Sequence, residues 1–83
     1  MTNKSLSVDI VAPEAMRWSG TASQVLVPGV AGSLGILPGR LPLLTSLTPG
    51  EVRVCDGADR WRSFTIGGGF VSVWDDFVEV LDC

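Results

Sequence analysis

The sequence predicts an all-β fold: an antiparallel β-sandwich or flattened barrel of about eight to ten short strands, without a substantial helix. Three observations predict it. Apolar and polar residues alternate with the two-residue period of a strand in several short runs. Turn-forming residues recur about every ten positions. No window carries the i, i+3, i+4 apolar spacing of an amphipathic helix.

The elements follow in order. Leu6, Val8 and Ile10 alternate with Ser7, Asp9 and Val11 as a half-buried strand. Pro13 stops it, because proline cannot donate to a ladder. Met16 and Trp18 predict a second short strand ending at Ser19-Gly20, and residues 23–27 a third, closed by Pro28-Gly29. Short extended pieces are expected around residues 34–37 and 43–47. Thr48-Pro49-Gly50 reads as a turn, proline presetting φ and glycine supplying positive φ. Val52 and Val54 then alternate with Glu51, Arg53 and Cys55. Asp56-Gly57 opens a hairpin and residues 62–66 return from it. Gly67-Gly68-Gly69 marks a bulge or a strand switching sheets. A last hairpin pairs residues 70–74 with 77–81 across Asp75-Asp76.

Eighty-three residues make one domain, with no linker or internal repeat. A chain this short buries only about 60–65% of its unfolded surface, so its stability margin is modest. A hydrophobic content of 46% with 18% charged residues is globular composition. The net charge is −3, and the six basic residues are scattered, so no basic stripe offers itself to nucleic acid. Histidine, the commonest general base and metal ligand, is absent. Cys55 and Cys83 are too few and too far apart for a zinc site; they allow one disulfide, but two thiols are the favoured reading in a reducing cytosol. No apolar run approaches the roughly 18–20 residues of a membrane span. The N-terminal Met-Thr-Asn-Lys-Ser has no apolar signal core, so the chain is expected to stay in the compartment where it is made. No cofactor is implied.

Residues 27–45 organise the chain: four glycines and three prolines fall within these nineteen positions. The expectation is a rigid, largely uncharged loop, with Leu34, Ile36, Leu37, Leu41, Leu43 and Leu44 buried beside its turns and positive φ at Gly35 and Gly39. A phosphate cradle fails as a reading, since no Gly-Lys-Ser/Thr follows and no helix starts there. Asp56 with Asp59, and Asp75 with Asp76, sit in predicted hairpin turns, where aspartate hydrogen-bonds its own backbone. Arg60 and Arg62 flank Trp61 as a solvated strand edge. In the last hairpin Val71, Val73, Val78 and Val80 share one face and fill the core. Phe70, Trp74, Phe77 and Leu81 share the other, which is either a second buried surface or an exposed patch that binds something. An enzyme is disfavoured, because no nucleophile is paired with a base.

The motif Pro-Gly-x-x-Gly-x-Leu-Gly-Ile-Leu-Pro-Gly-x-x-Pro-Leu-Leu-Thr, from Pro28 to Thr45, resembles the signature of the epsilon subunit of F-type ATP synthases, in its N-terminal β-sandwich. The resemblance extends to Val8-Asp9-Ile10-Val11-Ala12-Pro13-Glu14, Trp18-Ser19-Gly20, Leu47-Thr48-Pro49-Gly50-Glu51-Val52-Arg53-Val54, Gly68-Gly69-Phe70-Val71-Ser72-Val73 and Val78-Glu79-Val80-Leu81. It departs at Arg40, where the family usually has histidine, and at Cys83, where members usually continue into a two-helix domain. The resemblance implies a non-catalytic central-stalk subunit that docks the gamma subunit onto the ring of c subunits. It places Gly29, Val30, Ala31, Gly32 and Ser33 at the c ring, and Arg40 towards gamma together with the outer-face residues Phe70, Trp74, Phe77 and Leu81. It also implies a peripheral position on the cytoplasmic face of a bacterial inner membrane. The alternative is a stand-alone sandwich that binds a ligand or forms a homodimer through its apolar outer face.

Overall fold

The computed structural model describes residues 5–57 and 59–83. Residues 1–4, on which most of the leader reading rests, and Ala58 in the predicted hairpin lie outside the described residues. Seven strands form in chain order: β1 (Leu6–Val11), β2 (Met16–Ala22), β3 (Gln24–Gly29), β4 (Gly32–Ile36), β5 (Leu43–Cys55), β6 (Trp61–Trp74) and β7 (Phe77–Asp82). No described residue is helical. The strands make one sheet in the order β2-β1-β7-β6-β5-β3-β4. Neighbours pair antiparallel except β1 and β7, which run parallel.

The sheet becomes a two-layered sandwich through its two long strands, β5 of 13 residues and β6 of 14. They hold one register from Leu43↔Val73 to Cys55↔Trp61, skipping only Thr48 and Gly68. At that gap the burial pattern changes phase. Before it in β5 and after it in β6, the buried residues Leu47, Val71 and Val73 are odd-numbered; on the other side Val52, Val54 and Ile66 are even-numbered, with Cys55 at the end of β5 buried as well. Side chains change face at every residue of a strand, so a change of phase moves the core to the opposite face. Each long strand therefore serves both layers. That is why the strands number seven and are not all short.

Thr48-Pro49-Gly50 is accordingly a corner inside β5 and not a turn. Pro49 stays in the ladder opposite Gly67. The Thr48 hydroxyl donates to the Pro28 carbonyl at 3.2 Å. Across the ladder Gly68 and Gly69 hold φ of 106° and 135°, a region that side-chain-bearing residues avoid. A Cβ on Gly69 would collide with the Leu81 carbonyl oxygen. The end of β7 wraps this corner: the Cys83 N–H donates to the Gly68 carbonyl at 3.1 Å, and the Gly67 N–H donates to Asp82 Oδ1 at 3.0 Å.

Asp82 also meets Arg17 of β2 at 3.0 Å. Arg17 donates to the Thr65 carbonyl at 2.6 Å and lies 6.0 Å from the centre of the Phe64 ring. Trp18 packs on Phe64 with centroids 5.9 Å apart. The edge strand β2 is thereby tied to the first half of β6. Between the layers lies one apolar cluster, in which Leu6, Val8, Ile10, Val71, Val78 and Val80 meet Val25, Val27, Ile36, Val52 and Val54. Among the described residues no polar or charged side chain is buried. Cys55 is buried, Cys83 exposed, and both are free thiols.

Positive φ holds at Gly39 (85°) but not at Gly35, which sits in β4 opposite Leu26 as an ordinary strand residue. The two corner and strand glycines should therefore respond differently to substitution. Gly69→Ala should cost about 3 kcal/mol or more in urea unfolding, from the carbonyl collision and the forbidden φ. Gly35→Ala, whose Cβ would meet the side chains of Leu26 (Cδ2 at 3.4 Å) and Gln24 (Nε2 at 3.8 Å), should change stability by less than about 1 kcal/mol.

Candidate functional site

The last hairpin turns on Asp75 and Asp76, both at positive φ (51° and 61°). Two such residues make the tight turn whose twist matches the flanking strands. The register is then fixed: Trp74↔Phe77, Val73↔Val78, Val71↔Val80 and Phe70↔Leu81. The four valines are at most 2% exposed, while Phe70, Trp74, Phe77 and Leu81 are 48, 65, 39 and 41% exposed. No loop or other described segment of the chain covers that outer face.

Pairing extends the face across three more strands. One apolar row runs Met16, Val11, Leu81, Phe70 across β2, β1, β7 and β6. A second row carries Phe77 and Trp74 on β7 and β6. Between them lies a polar row, Ser19, Asp9, Glu79 and Ser72. Ser19 donates to Asp9 Oδ1 at 2.7 Å. Leu44, opposite Ser72 on β5, ends that row and is 74% exposed.

The loop between β4 and β5 borders the second apolar row because the hairpin turn holds it. The Gly39 N–H donates to Asp76 Oδ1 at 2.7 Å, and Gly39 itself holds a φ of 85°. Arg40, Leu41, Pro42, Trp74 and Asp75 consequently line one shallow depression. The Arg40 guanidinium donates to the Gly35 carbonyl of its own chain at 3.4 Å and is otherwise exposed. The expected burial of the loop's leucines is corrected here. Ile36 is buried and Leu34 and Leu43 are half-buried, but Leu37, Leu41 and Leu44 are 55, 81 and 74% exposed. Leu44 falls on the outward phase of β5, and the anchored loop points Leu37 and Leu41 away from a core already filled by valines.

Gly29, Val30, Ala31, Gly32 and Ser33 form a separate prominence. Gly29 pairs with Gly32, leaving Val30-Ala31 as the tip of the β3–β4 hairpin. The Val30 N–H donates to the Ser46 carbonyl at 3.1 Å, fixing the tip against β5. The structure brings Arg40 beside Trp74, whereas the tip lines another depression together with Leu34, Leu43 and Thr45.

The remaining candidates behave as turn and edge residues. Asp56 Oδ1 accepts the Arg60 N–H at 3.2 Å, and its Oδ2 meets the Arg60 side chain at 3.2 Å. Arg53 stacks over Trp61 at 5.3 Å. Among the described residues no three His, Cys, Asp or Glu side chains converge on a metal-sized site, and no helix is long and apolar enough to cross a membrane. The arrangement offers contact surfaces.

The family model described as ATP synthase, Delta/Epsilon chain, beta-sandwich domain matches residues 5–82. This chain belongs to that family. Within the ATP synthase delta/epsilon β-sandwich family, it is 42% identical over 77 residues to the ATP synthase epsilon chain of Gloeothece citriformis, covering 93% of this chain and 55% of that one. It is 46% identical, with the same coverage, to the epsilon chain of Chromohalobacter salexigens. The chain therefore spans about half the length of these curated relatives. Among solved structures it superposes on a chain of the Euglena gracilis mitochondrial ATP synthase, solved as OSCP/F1/c-ring, with a TM-score of 0.88 at 19% identity, over 94% of this chain and 50% of that one. A chain of the Tetrahymena thermophila central stalk and c-ring gives 0.75 at 19% identity, over 99% and 66%.

Sequence reasoning missed the part played by Asp76, Leu41 and Leu44 in the outer face of this family member. Strand alternation could have flagged Leu44, which is out of phase with Leu43. Nothing local could have flagged the contact between Asp76 and Gly39, which lie 37 residues apart. Replacing Asp76 by glycine keeps the positive φ and removes the anchor. Asp76→Gly should speed Gly39 amide exchange about tenfold, while global stability falls by about 1 kcal/mol.

Proposed function

We propose that this chain is the β-sandwich of a non-catalytic epsilon subunit, seating the gamma subunit on the c ring of a rotary ATP synthase. The reading rests on one observation: the family match across the described fold coincides with two separate exposed surfaces on a rigid scaffold. A torque-bearing adaptor needs two such surfaces and no reactive side chain. Gly29, Val30, Ala31, Gly32 and Ser33 form the tip assigned to the c ring. Phe70, Trp74, Phe77, Leu81 and Arg40 form the surface assigned to gamma. Coupling proton flow to ATP synthesis is then rigid transmission of rotation, without a cofactor. The complex would hold the chain peripherally on the cytoplasmic face of the inner membrane.

A second reading draws on the uncovered aromatic face: the free chain associates with itself through Phe70, Trp74 and Phe77. Both readings are tested by calorimetric titration with the gamma subunit of the same organism and by sedimentation of the free chain. Trp74→Lys should weaken gamma binding by about 2 kcal/mol, as for a central aromatic anchor, and change stability by less than about 0.5 kcal/mol. Arg40→Ala should weaken it by about 1–3 kcal/mol. Ser33→Trp should leave gamma binding intact and lose only c-ring docking. Unchanged gamma affinity in Trp74→Lys, together with loss of a dimer, would favour self-association instead.

A further inference from the structure

The outer face is not uniformly apolar. Asp9 and Glu79 are register partners on the parallel strands β1 and β7, so two carboxylates stand side by side between two apolar rows. Like charges placed directly opposite are destabilising. Ser19 satisfies one oxygen of Asp9, whereas among the described residues Glu79 has neither a hydrogen-bond nor an ion-pair partner. Both side chains are half-exposed. Phe70 and Leu81 lie on one side, with Phe77 and Trp74 on the other.

We infer that this face accepts an amphipathic α-helix of the partner that presents one lysine or arginine between two apolar residues. This deepens the proposed docking of gamma and rests on it. A second copy of this chain is a poor occupant. A two-fold axis through the middle of the face would press Asp9 and Glu79 against the same residues of the other copy, in a contact that excludes water. An extended strand is also a poor occupant. Laid on side chains, it would leave its N–H and C=O groups unpaired, whereas a helix satisfies its own. The spacing selects the register of the helix. The apolar rows are four residues apart along β6 and β7, about 13 Å. Eight residues of helix rise about 12 Å, so residues i and i+8 reach the two rows and residue i+4 stands over the carboxylates.

The experiment uses the intact chain with gamma and with two synthetic helical peptides. One carries Leu, Arg and Leu at i, i+4 and i+8; the other carries Glu in place of Arg. Binding is followed by tryptophan fluorescence and calorimetry, and folding by circular dichroism. The wild-type chain should prefer the Arg peptide by about tenfold. Glu79→Lys should reverse that preference and weaken gamma binding by about tenfold, with a melting temperature no lower than that of the wild type, because it replaces a like-charge pair with an opposite-charge one beside Asp9. Equal affinity for the two peptides, or no binding of either, overturns the inference. So does gamma binding that falls in Trp74→Lys but not in Glu79→Lys, which leaves the docking face standing without its charge requirement. Gamma binding indifferent to both substitutions removes the docking reading itself.

Discussion

The corner at Gly68 and Gly69 is the constraint on which the rest of the sandwich depends. The sandwich folds both of its layers from one seven-stranded sheet. It uses β5 and β6 in both, and that works only if their inward faces exchange where the layers meet. Backbone at φ of 106° and 135° makes the exchange on β6, and glycine is the residue that holds such angles without strain. Pro49 and Gly50 accommodate it on β5. Asp82, Arg17 and the Cys83 amide then close around the bend, so that the end of the last strand fixes the geometry of the two longest ones.

From the corner onwards the exposed chemistry is determined. Once β6 has changed phase, its valines face inwards and Phe70 and Trp74 face outwards. The Asp75-Asp76 turn carries that division into β7 without a slip of register. The same turn reaches back to Gly39 and so sets the edge of the outer face. One hairpin thus fixes the phase of the aromatic surface and positions the loop that borders it. Of the strands that carry this surface, β1, β7, β6 and β5 are each paired on both sides.

About half of the organising stretch, from Pro28 to Ile36, forms a tight hairpin with an exposed tip, although Gly35 sits in the ladder without the positive φ expected of it. The remainder, from Leu37 to Leu44, does not bury its leucines. The sequence reading treated every apolar residue there as core. The core is instead completed by β-branched residues of six other segments, and a filled interior at crystal-like density has no room for more. Apolar character states only a preference for burial; the volume available inside decides which residues obtain it.

What the sequence determined by itself was local. Two-residue alternation gave the strands, aspartate pairs and glycines gave the turns, and the valine–aromatic division of the last hairpin followed from period alone. Family membership was legible as well, because the spaced blocks are backbone requirements written in glycine and proline. Only the tertiary structure decided that Thr48-Pro49-Gly50 continues a strand, that β1 lies parallel to β7, and that Asp9 stands beside Glu79 between two apolar rows. Each of these depends on which distant segment pairs with which. That choice is made by the total burial of the folded chain, a quantity no short window of sequence contains.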